Sequence, residues 1–491
     1  MAENIIWISG IPALLSSGLV LLVSRCFKRA GNHHYSLLAI IQAVIYMGLS
    51  IWMASLNRPV ELSGNGYFYM DTLAVFEILI TAALFLLAAI YSRGYIDSLL
   101  KQEEIEESLL PVFYGSFCLL ETVLIMGFLS NNLALLWIFI ELSTIFSAVL
   151  IVTLKARENI TAALKYVFVA STSMLFTFMG IIILFSLSQE AISGGSLNWN
   201  SLMENAAGFN QSAFNVAFIL MLIGFGAKSG MVPFHTWMPQ AYAKAPSAVS
   251  VMYGPVLNLG LFAIIRLFSI SHQTGGTGLV STTLLSIGTL TIGVAAFSLL
   301  ARTNTKKVIA FSAIEQTGLA LVGMGLASPL AFFWVVFNQL AQPFIKALLF
   351  FSAGIWHRQY LSNKFSAVIQ PMSHQPLASI GLIAGIAAAA GTPLLPVFLV
   401  KFNILSVLAE KPLLFFVVLL LFMVVAAGMG YYFLRAFSQK GEAEIGLFKT
   451  PLSMKVPIIV CMVIILILGV HVPSWLTGII NTICAELGIC A

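Results

Sequence analysis

The stretch that decides the fold is GFGAKSGMVPFHTWMPQAYAKAPSAVSVMYGPVLNLGLFAIIR, residues 224–266. A membrane-length apolar segment runs into it and carries Lys228. Gly230 and Pro233 follow within five residues. Because proline lacks a backbone donor and glycine loosens a helix, the stretch predicts a helix that is broken inside the membrane. Such backbone must be covered by protein or a water-filled cavity. The alternative is that Lys228 extends along apolar surface to the membrane interface.

Composition places the whole chain in a membrane. Of its 491 residues, 59% are hydrophobic and 9% are charged, whereas soluble domains average about 25% charged residues. The first apolar run, 5–27, is long enough to span and follows no basic segment, so we expect no cleaved signal peptide. The net charge of +5 is spread over loops, which predicts no nucleic-acid partner.

The sequence has no pattern typical of a cofactor or metal site. No phosphate-binding loop, dinucleotide fingerprint or iron–sulfur spacing occurs, and the five cysteines lack metal-ligand spacing. Cys484 and Cys490 are candidates for a disulfide if the C-terminus faces an oxidising compartment. We therefore expect no cofactor and no metal in this chain, and no electron transfer by it.

The apolar runs predict an all-α integral membrane protein with about fourteen transmembrane helices, which we number as spans 1–14. The broken stretch ends span 7 (212–233). A second interrupted run, AAAAGTPLLPVFLVKFNIL (387–405), lies in span 12 (375–408) and carries Lys401. Because the two interrupted spans are five positions apart in the series, an odd number, the two units would be inverted relative to each other. The alternative is that these prolines are ordinary kinks of membrane helices.

The predicted organisation therefore has four parts. They are the N-terminal spans 1–3 (1–108), a first inverted repeat of spans 4–8 (109–270), a second of spans 9–13 (278–438), and span 14 (439–491). Lysine and arginine are concentrated in the loops after odd-numbered spans. The positive-inside rule then predicts cytoplasmic odd loops and both termini on the outer face.

Ionisable residues inside the predicted spans are the candidates for function, because charge at membrane depth is costly and typical of proton relays. We expect a relay through Glu141, Lys228, Lys346 and Lys401. An approaching Glu141 carboxylate would keep the proton on Lys228, and its withdrawal would release that proton towards Lys346 and Lys401. The alternative is a static salt bridge between Glu141 and Lys228.

Further polar residues support this predicted relay. Lys165 would be the counterpart of Lys346 in the first repeat. The supporting residues are Lys165, His235, Asn258, Glu315, Asn338 and Gln342. Glu77 and Glu121 also fall in or near spans, and the sequence assigns them no particular role.

Seven segments together resemble the antiporter-like subunits of complex I, Mrp-type cation/proton antiporters and membrane-bound group 4 nickel–iron hydrogenases. In chain order they are YFYMDTLAVF…YSRGYI (67–96), SNNLALLWIFIELSTI (130–145), TAALKYVF (161–168), AKSGMVPFHTWMPQAYAKAPSAVSVM (227–252), KKVIAFSAIEQTGL (306–319), KALLFFSAG (346–354) and GTPLLPVFLVKF (391–402). Within that superfamily, SNNLALLWIFIEL, IEQTG and Asn258 are most similar to hydrogenase-4 component F.

This resemblance implies a proton-translocating subunit of a complex-I-like redox enzyme in the inner membrane of a prokaryote. Other membrane subunits and a peripheral hydrogenase or dehydrogenase arm would be its partners, with nickel–iron and iron–sulfur centres in those partners. The transported ion would be the proton, with Na⁺ as the alternative. An Mrp-type antiporter subunit and a non-conducting scaffold for a catalytic arm remain the rival functions.

The resemblance also matches particular residues. Glu141, Lys228, Lys346 and Lys401 match the family's relay positions. Asn258, Asn338 and Gln342 stand where members often carry lysine or histidine, and Lys401 stands where hydrogenase-type members tend to carry glutamate. The central relay would therefore depend on water.

Overall fold

The computed structural model describes residues 31–56, 58–62, 64–438 and 446–489. In these ranges every regular element is helical except one antiparallel hairpin, β1 (Val60–Glu61) with β2 (Tyr69–Met70). The α-helices in chain order are α1 (Asn32–Ser55), α2 (Thr72–Lys101), α3 (Leu110–Leu129), α4 (Leu133–Val152), α5 (Arg157–Ala191), α6 (Trp199–Asn205), α7 (Gln211–Ser229), α8 (Met238–Lys244), α9 (Ser247–Gln273), α10 (Gly278–Leu299), α11 (Thr305–Gly325), α12 (Pro329–Tyr360), α13 (Pro371–His374), α14 (Pro376–Ala390), α15 (Pro396–Leu408), α16 (Pro412–Ser438), α17 (Leu452–Val470) and α18 (Ser474–Glu486).

Twelve segments of the described chain are long and apolar enough to cross a membrane. One of them, Gln211–Lys244, joins α7, a 3₁₀ turn and α8. The shorter apolar helices α14 and α15 fill predicted span 12. Predicted span 1 (5–27) and Cys490 lie outside the described residues. The all-helical membrane fold is confirmed, whereas the count of fourteen spans and the two inverted repeats remain predictions.

Both predicted helix interruptions are present, and both end a helix in the same way. Gly230 follows α7 with φ 83°, and Gly391 follows α14 with φ 88°, in the left-handed region that favours glycine. In each case the glycine N–H binds the carbonyl three residues back, and the next N–H binds the carbonyl five residues back. This is the hydrogen-bond pattern of a Schellman cap. Pro233 and Pro393 follow, and neither can donate to a continued helix.

The centre of the bundle is formed by α9, α11 and α12. In the most apolar segments of α9 and α11 every residue is buried, and in that of α12 94% of the residues are buried. In the corresponding segments of α1 and α16 only 33% of the residues are buried. Helix α9 packs against α2, α7 and α12. Polar side chains on α9, α11 and α12 therefore face other helices rather than lipid.

Ion pairs mark the two ends of the bundle. At the end where α2 terminates, Arg358 Nη2 lies 2.7 Å from Glu104 Oε1. At the end where α2 begins, the Arg266 guanidinium binds both Asp71 oxygens, at 2.6 and 2.8 Å. The same Asp71 accepts from the Ala74 N–H and caps α2. These ion pairs fix how far α2, α9 and α12 are shifted along their axes relative to one another.

Candidate functional site

Lys228 lies in the last turn of α7, directly before the break, and is fully buried. Its Nζ donates to Thr144 Oγ1 on α4 and to the Tyr166 hydroxyl on α5, both at 2.8 Å. A buried ammonium needs such partners, since leaving it without them is costly. The alternative in which Lys228 reaches the interface is wrong, because its side chain ends inside the bundle.

The ion pair predicted between Glu141 and Lys228 is not formed in this structure. Glu141 Oε2 instead accepts from Ser171 Oγ at 2.9 Å, and its Oε1 is buried without a hydrogen-bond partner. Thr144, one turn further along α4, accepts the hydrogen bond from Lys228 Nζ instead. A static Glu141–Lys228 salt bridge is wrong for the same reason. Glu141 therefore lies one turn of α4 away from Thr144, the residue that contacts Lys228.

Lys346 is buried at the centre, on α12, and donates to Ser312 Oγ on α11. Pro343 lies one turn earlier and has no N–H for the carbonyl four residues before it, at Gln339. Asn258 on α9 supplies the missing donor, with its Nδ2 at 2.9 Å from that oxygen. The Asn258 amide on α9 thus satisfies the carbonyl in α12 that Pro343 leaves without its helical donor.

A cavity of about 30 Å³ lies between these residues. Its polar lining residues are Asn258, Gln316, Thr317, Asn338, Gln339, Gln342 and Lys346. Buried amide atoms without a hydrogen-bond partner occur on Asn338, Gln339 and Gln342. A buried water needs two to four polar partners, and the cavity has room for water beside these amide groups. The sequence predicted a water-dependent relay here, and the geometry is suited to it.

A buried ion pair continues the polar path beyond the cavity. Gln316 Nε2 donates to Glu315 Oε2 at 2.6 Å, and the other Glu315 oxygen lies 3.0 Å from Lys401 Nζ. Lys401 also donates to the Ala390 carbonyl at 3.2 Å. That carbonyl ends α14, so the second break supplies a partner for the lysine. The sequence had named both residues but not their pairing.

Two supporting residues lie outside these contacts. Lys165 is half-buried and makes no hydrogen bond to any residue that the structure describes. His235 is half-buried in the turn between α7 and α8, where its Nδ1 has no partner. Their roles in the relay remain predictions.

Two residues of the site had no role assigned to them from the sequence. Tyr166 follows Lys165 directly in the chain, and its hydroxyl binds Lys228, but no sequence pattern marks this residue. Glu77 on α2 is fully buried, and its Oε2 accepts from Asn258 Nδ2 at 2.8 Å. The signal available for Glu77 was a carboxylate inside an apolar run. No group of three or more metal-ligating side chains occurs among the residues with described positions.

The chain is similar to known membrane proteins over most of its length. The chain is 28% identical over 355 residues to a hydrogenase-4 component F homolog of Methylacidiphilum infernorum, covering 71% of this chain and 74% of the relative. It is 25% identical over 479 residues to a Na⁺/H⁺ antiporter subunit of Alkalihalophilus pseudofirmus, covering 94% of this chain and 92% of the relative.

Solved structures share the fold. A chain of the archaeal membrane-bound sulfane sulfur reductase superposes with a TM-score of 0.85 at 20% identity, over 99% of this chain and 98% of the other. A chain of respiratory complex I from Thermus thermophilus gives 0.82 at 17% identity, over 99% and 100%. The model of the NADH:quinone oxidoreductase/Mrp antiporter transmembrane family matches residues 130–430. That match covers more than half of the 491 residues, and the chain therefore belongs to this family.

Proposed function

We propose that the chain is a proton-translocating membrane subunit of a complex-I-like redox enzyme, in which partner subunits transfer the electrons. The observation that carries the proposal is a buried polar path across the bundle centre. It runs from Asn258 through the cavity to Gln316, Glu315 and Lys401, with Lys346 on the cavity wall. Buried ionisable groups in a membrane protein are typical of ion pathways and proton relays.

The pocket of Lys228 is suited to switching. In this structure its ammonium is held by two neutral hydroxyls, and the nearby Glu141 carboxylate is held by Ser171. Moving Glu141 towards Lys228 would add a negative charge that favours the ammonium, and its withdrawal would leave the amine with only the neutral hydroxyls. Conformational change driven by a redox partner would alternate these two arrangements.

A membrane-bound nickel–iron hydrogenase or formate-hydrogenlyase type of complex is the assembly that we favour. The similarity to a hydrogenase-4 component F homolog supports it. Further membrane subunits and a peripheral arm would be the partners, and the nickel–iron and iron–sulfur centres would lie in them. The location would be the inner membrane of a prokaryote.

A cation/proton antiporter subunit is the second candidate. The alignment with the Na⁺/H⁺ antiporter relative covers 94% of this chain, more than the 71% covered by the hydrogenase-4 relative. Purification through a tag on this chain in mild detergent, followed by mass spectrometry, separates the two. Nickel–iron subunits among the partners would support the first proposal, and small antiporter subunits without redox proteins would support the second.

Proton movement itself is tested in the purified complex after reconstitution into vesicles. We expect Lys346→Met to abolish acidification measured with a pH-sensitive dye, because it removes the ammonium from the cavity. Lys364→Met is the matched control, since that lysine is exposed in the loop after α12. Unchanged pumping by Lys346→Met would refute translocation through this path and favour a scaffold.

A further inference from the structure

The central cavity has few groups that can hold a proton. Of its polar lining residues, Asn258, Gln316, Asn338, Gln339 and Gln342 end in amides, which neither accept nor release protons near neutral pH. Lys346 is the one ionisable residue among them. On a path from the Lys228 pocket to Lys346, the cavity lining therefore offers no ionisable residue before Lys346.

Glu77 supplies such a group from outside both predicted repeats. It extends from α2, is fully buried, and receives a hydrogen bond from Asn258 Nδ2 at 2.8 Å. The same nitrogen also donates to the Gln339 carbonyl. Asn258 therefore joins the carboxyl group directly to the cavity wall, and its amide is held by acceptors from α2 and α12.

The surroundings of Glu77 differ from those of the paired acids. Asp71 is bound by Arg266, and Glu315 is in contact with Lys401. Glu77 has no cation within ion-pair distance among the described residues, and its Oε1 is buried without a hydrogen-bond partner. An unpaired buried carboxylate is costly, and a glutamine of the same shape would avoid that cost. A structural role in packing or hydrogen bonding does not require an acid here.

We propose that Glu77 is the group that carries the proton between the Lys228 pocket and the central cavity, and that Asn258 positions it against the cavity wall. This inference rests on the proposed function of proton translocation. Glu77 takes a proton arriving from the Lys228 side and passes it through cavity water to Lys346. The carboxyl group thus alternates between its neutral and charged forms while the amides stay neutral.

The test uses the reconstituted complex and isosteric variants. Glu77→Gln keeps the shape and an acceptor for Asn258 but removes the exchangeable acid. We expect proton translocation to fall about 100-fold, the lower range for losing a proton-transfer group. Glu121→Gln is the matched control, because Glu121 is also fully buried, on the neighbouring helix α3, but bonds to Gln42 rather than to the cavity lining. We expect that variant to translocate like the wild type.

A double variant separates chemistry from folding. Glu77→Gln with Asn258→Asp moves the acid to the other end of the same hydrogen bond without changing either shape. We expect at least partial recovery of translocation. The inference is overturned if Glu77→Gln pumps normally, if Glu77→Gln and Glu121→Gln lose activity equally, or if the folded double variant recovers nothing. Normal pumping by Lys346→Met would instead refute the proposed function, so the two failures are distinguishable.

Discussion

The Nζ atom of Lys401 lies 3.0 Å from the Oε1 atom of Glu315, and both side chains are buried. Removing one member of a buried pair leaves an uncompensated charge and costs about 3–5 kcal/mol, whereas removing both can be nearly neutral. We therefore expect Glu315→Gln and Lys401→Met each to lower the melting temperature of the purified complex. The double variant should regain much of that stability.

The same three variants should all fail to translocate protons in vesicles, because the pair is also a stage of the path. Glu410→Gln, which alters an exposed acid just after α15, is the control for both measurements. A double variant no more stable than the singles would contradict the ion pair. Normal translocation by the double variant would remove the pair from the path.

The hydroxyl groups around Lys228 should tune its activity without abolishing it. Tyr166→Phe removes one of the two hydrogen bonds to the ammonium. A hydrogen bond to a charged group contributes about 1.5–3 kcal/mol, so we expect translocation to fall about 10- to 100-fold. Lys228→Ala should abolish it.

Initial rates of vesicle acidification measure this effect. Tyr35→Phe is the control, because it removes a buried tyrosine hydroxyl from α1, far along the chain from the lysine pocket. Equal rates for Tyr166→Phe and the wild type would show that the tyrosine hydroxyl does not act on Lys228.

Glu486, on the short helix α18, should make stability depend on pH. Burial raises the pKa of its carboxyl above the ordinary value of 4.5, and the Asp71 carboxylate adds to this, while hydrogen bonds from Thr72 act in the opposite direction. With a raised pKa the folded state keeps its proton longer than the unfolded state does. Stability should therefore fall as the pH rises from 4.5 through the folded-state pKa.

Melting temperatures measured across that pH window test this expectation. Glu486→Gln should flatten the dependence, because the amide keeps an acceptor for Thr72 and cannot ionise. Glu190→Gln, at an exposed acid near the end of α5, should leave the slope unchanged. A slope in Glu486→Gln equal to that of the wild type would assign the dependence to other groups.

The orientation predicted from the positive charges can be tested by labelling. Lys155, Lys244 and Arg358 meet their acidic partners at the end of the bundle where α2 terminates. We expect this end to face the cytoplasm. In a variant lacking the native cysteines, Glu158→Cys should react with an impermeant maleimide only in inside-out vesicles.

The complementary position is Asn210, which is exposed at the start of α7, at the other end of that helix from Lys228. Asn210→Cys should react in right-side-out vesicles. If Glu158→Cys reacted in right-side-out vesicles and Asn210→Cys in inside-out vesicles, both termini would lie on the cytoplasmic side, contrary to the prediction.

Local sequence signals were sufficient for the breaks and the buried lysines. Gly230 and Pro233 determine where α7 ends through φ and a missing donor, and both effects can be read from the chain itself. The location of Lys228 beside that break followed directly. The same reasoning located Lys401 near Gly391.

Contacts between distant helices could not be predicted in this way. Whether Glu141 binds Lys228 or Ser171 depends on which hydroxyls the packing of α4 and α5 brings within reach. Glu77 and Glu121 look alike in the sequence, and only the packing of α2 against α9 gives one of them a contact with Asn258. The pairing of Glu315 with Lys401 likewise needs three-dimensional proximity.

The small size of the central cavity has a consequence for ion choice. A sodium ion in solution is surrounded by several water molecules, and stripping them away in a poorly polar interior is expensive. A cavity of about 30 Å³ is small for an ion together with its hydration shell. A proton does not need a hydration shell of this kind, because it can be transferred along hydrogen-bonded waters. The narrow cavity is therefore better suited to proton transfer than to the passage of a hydrated metal cation.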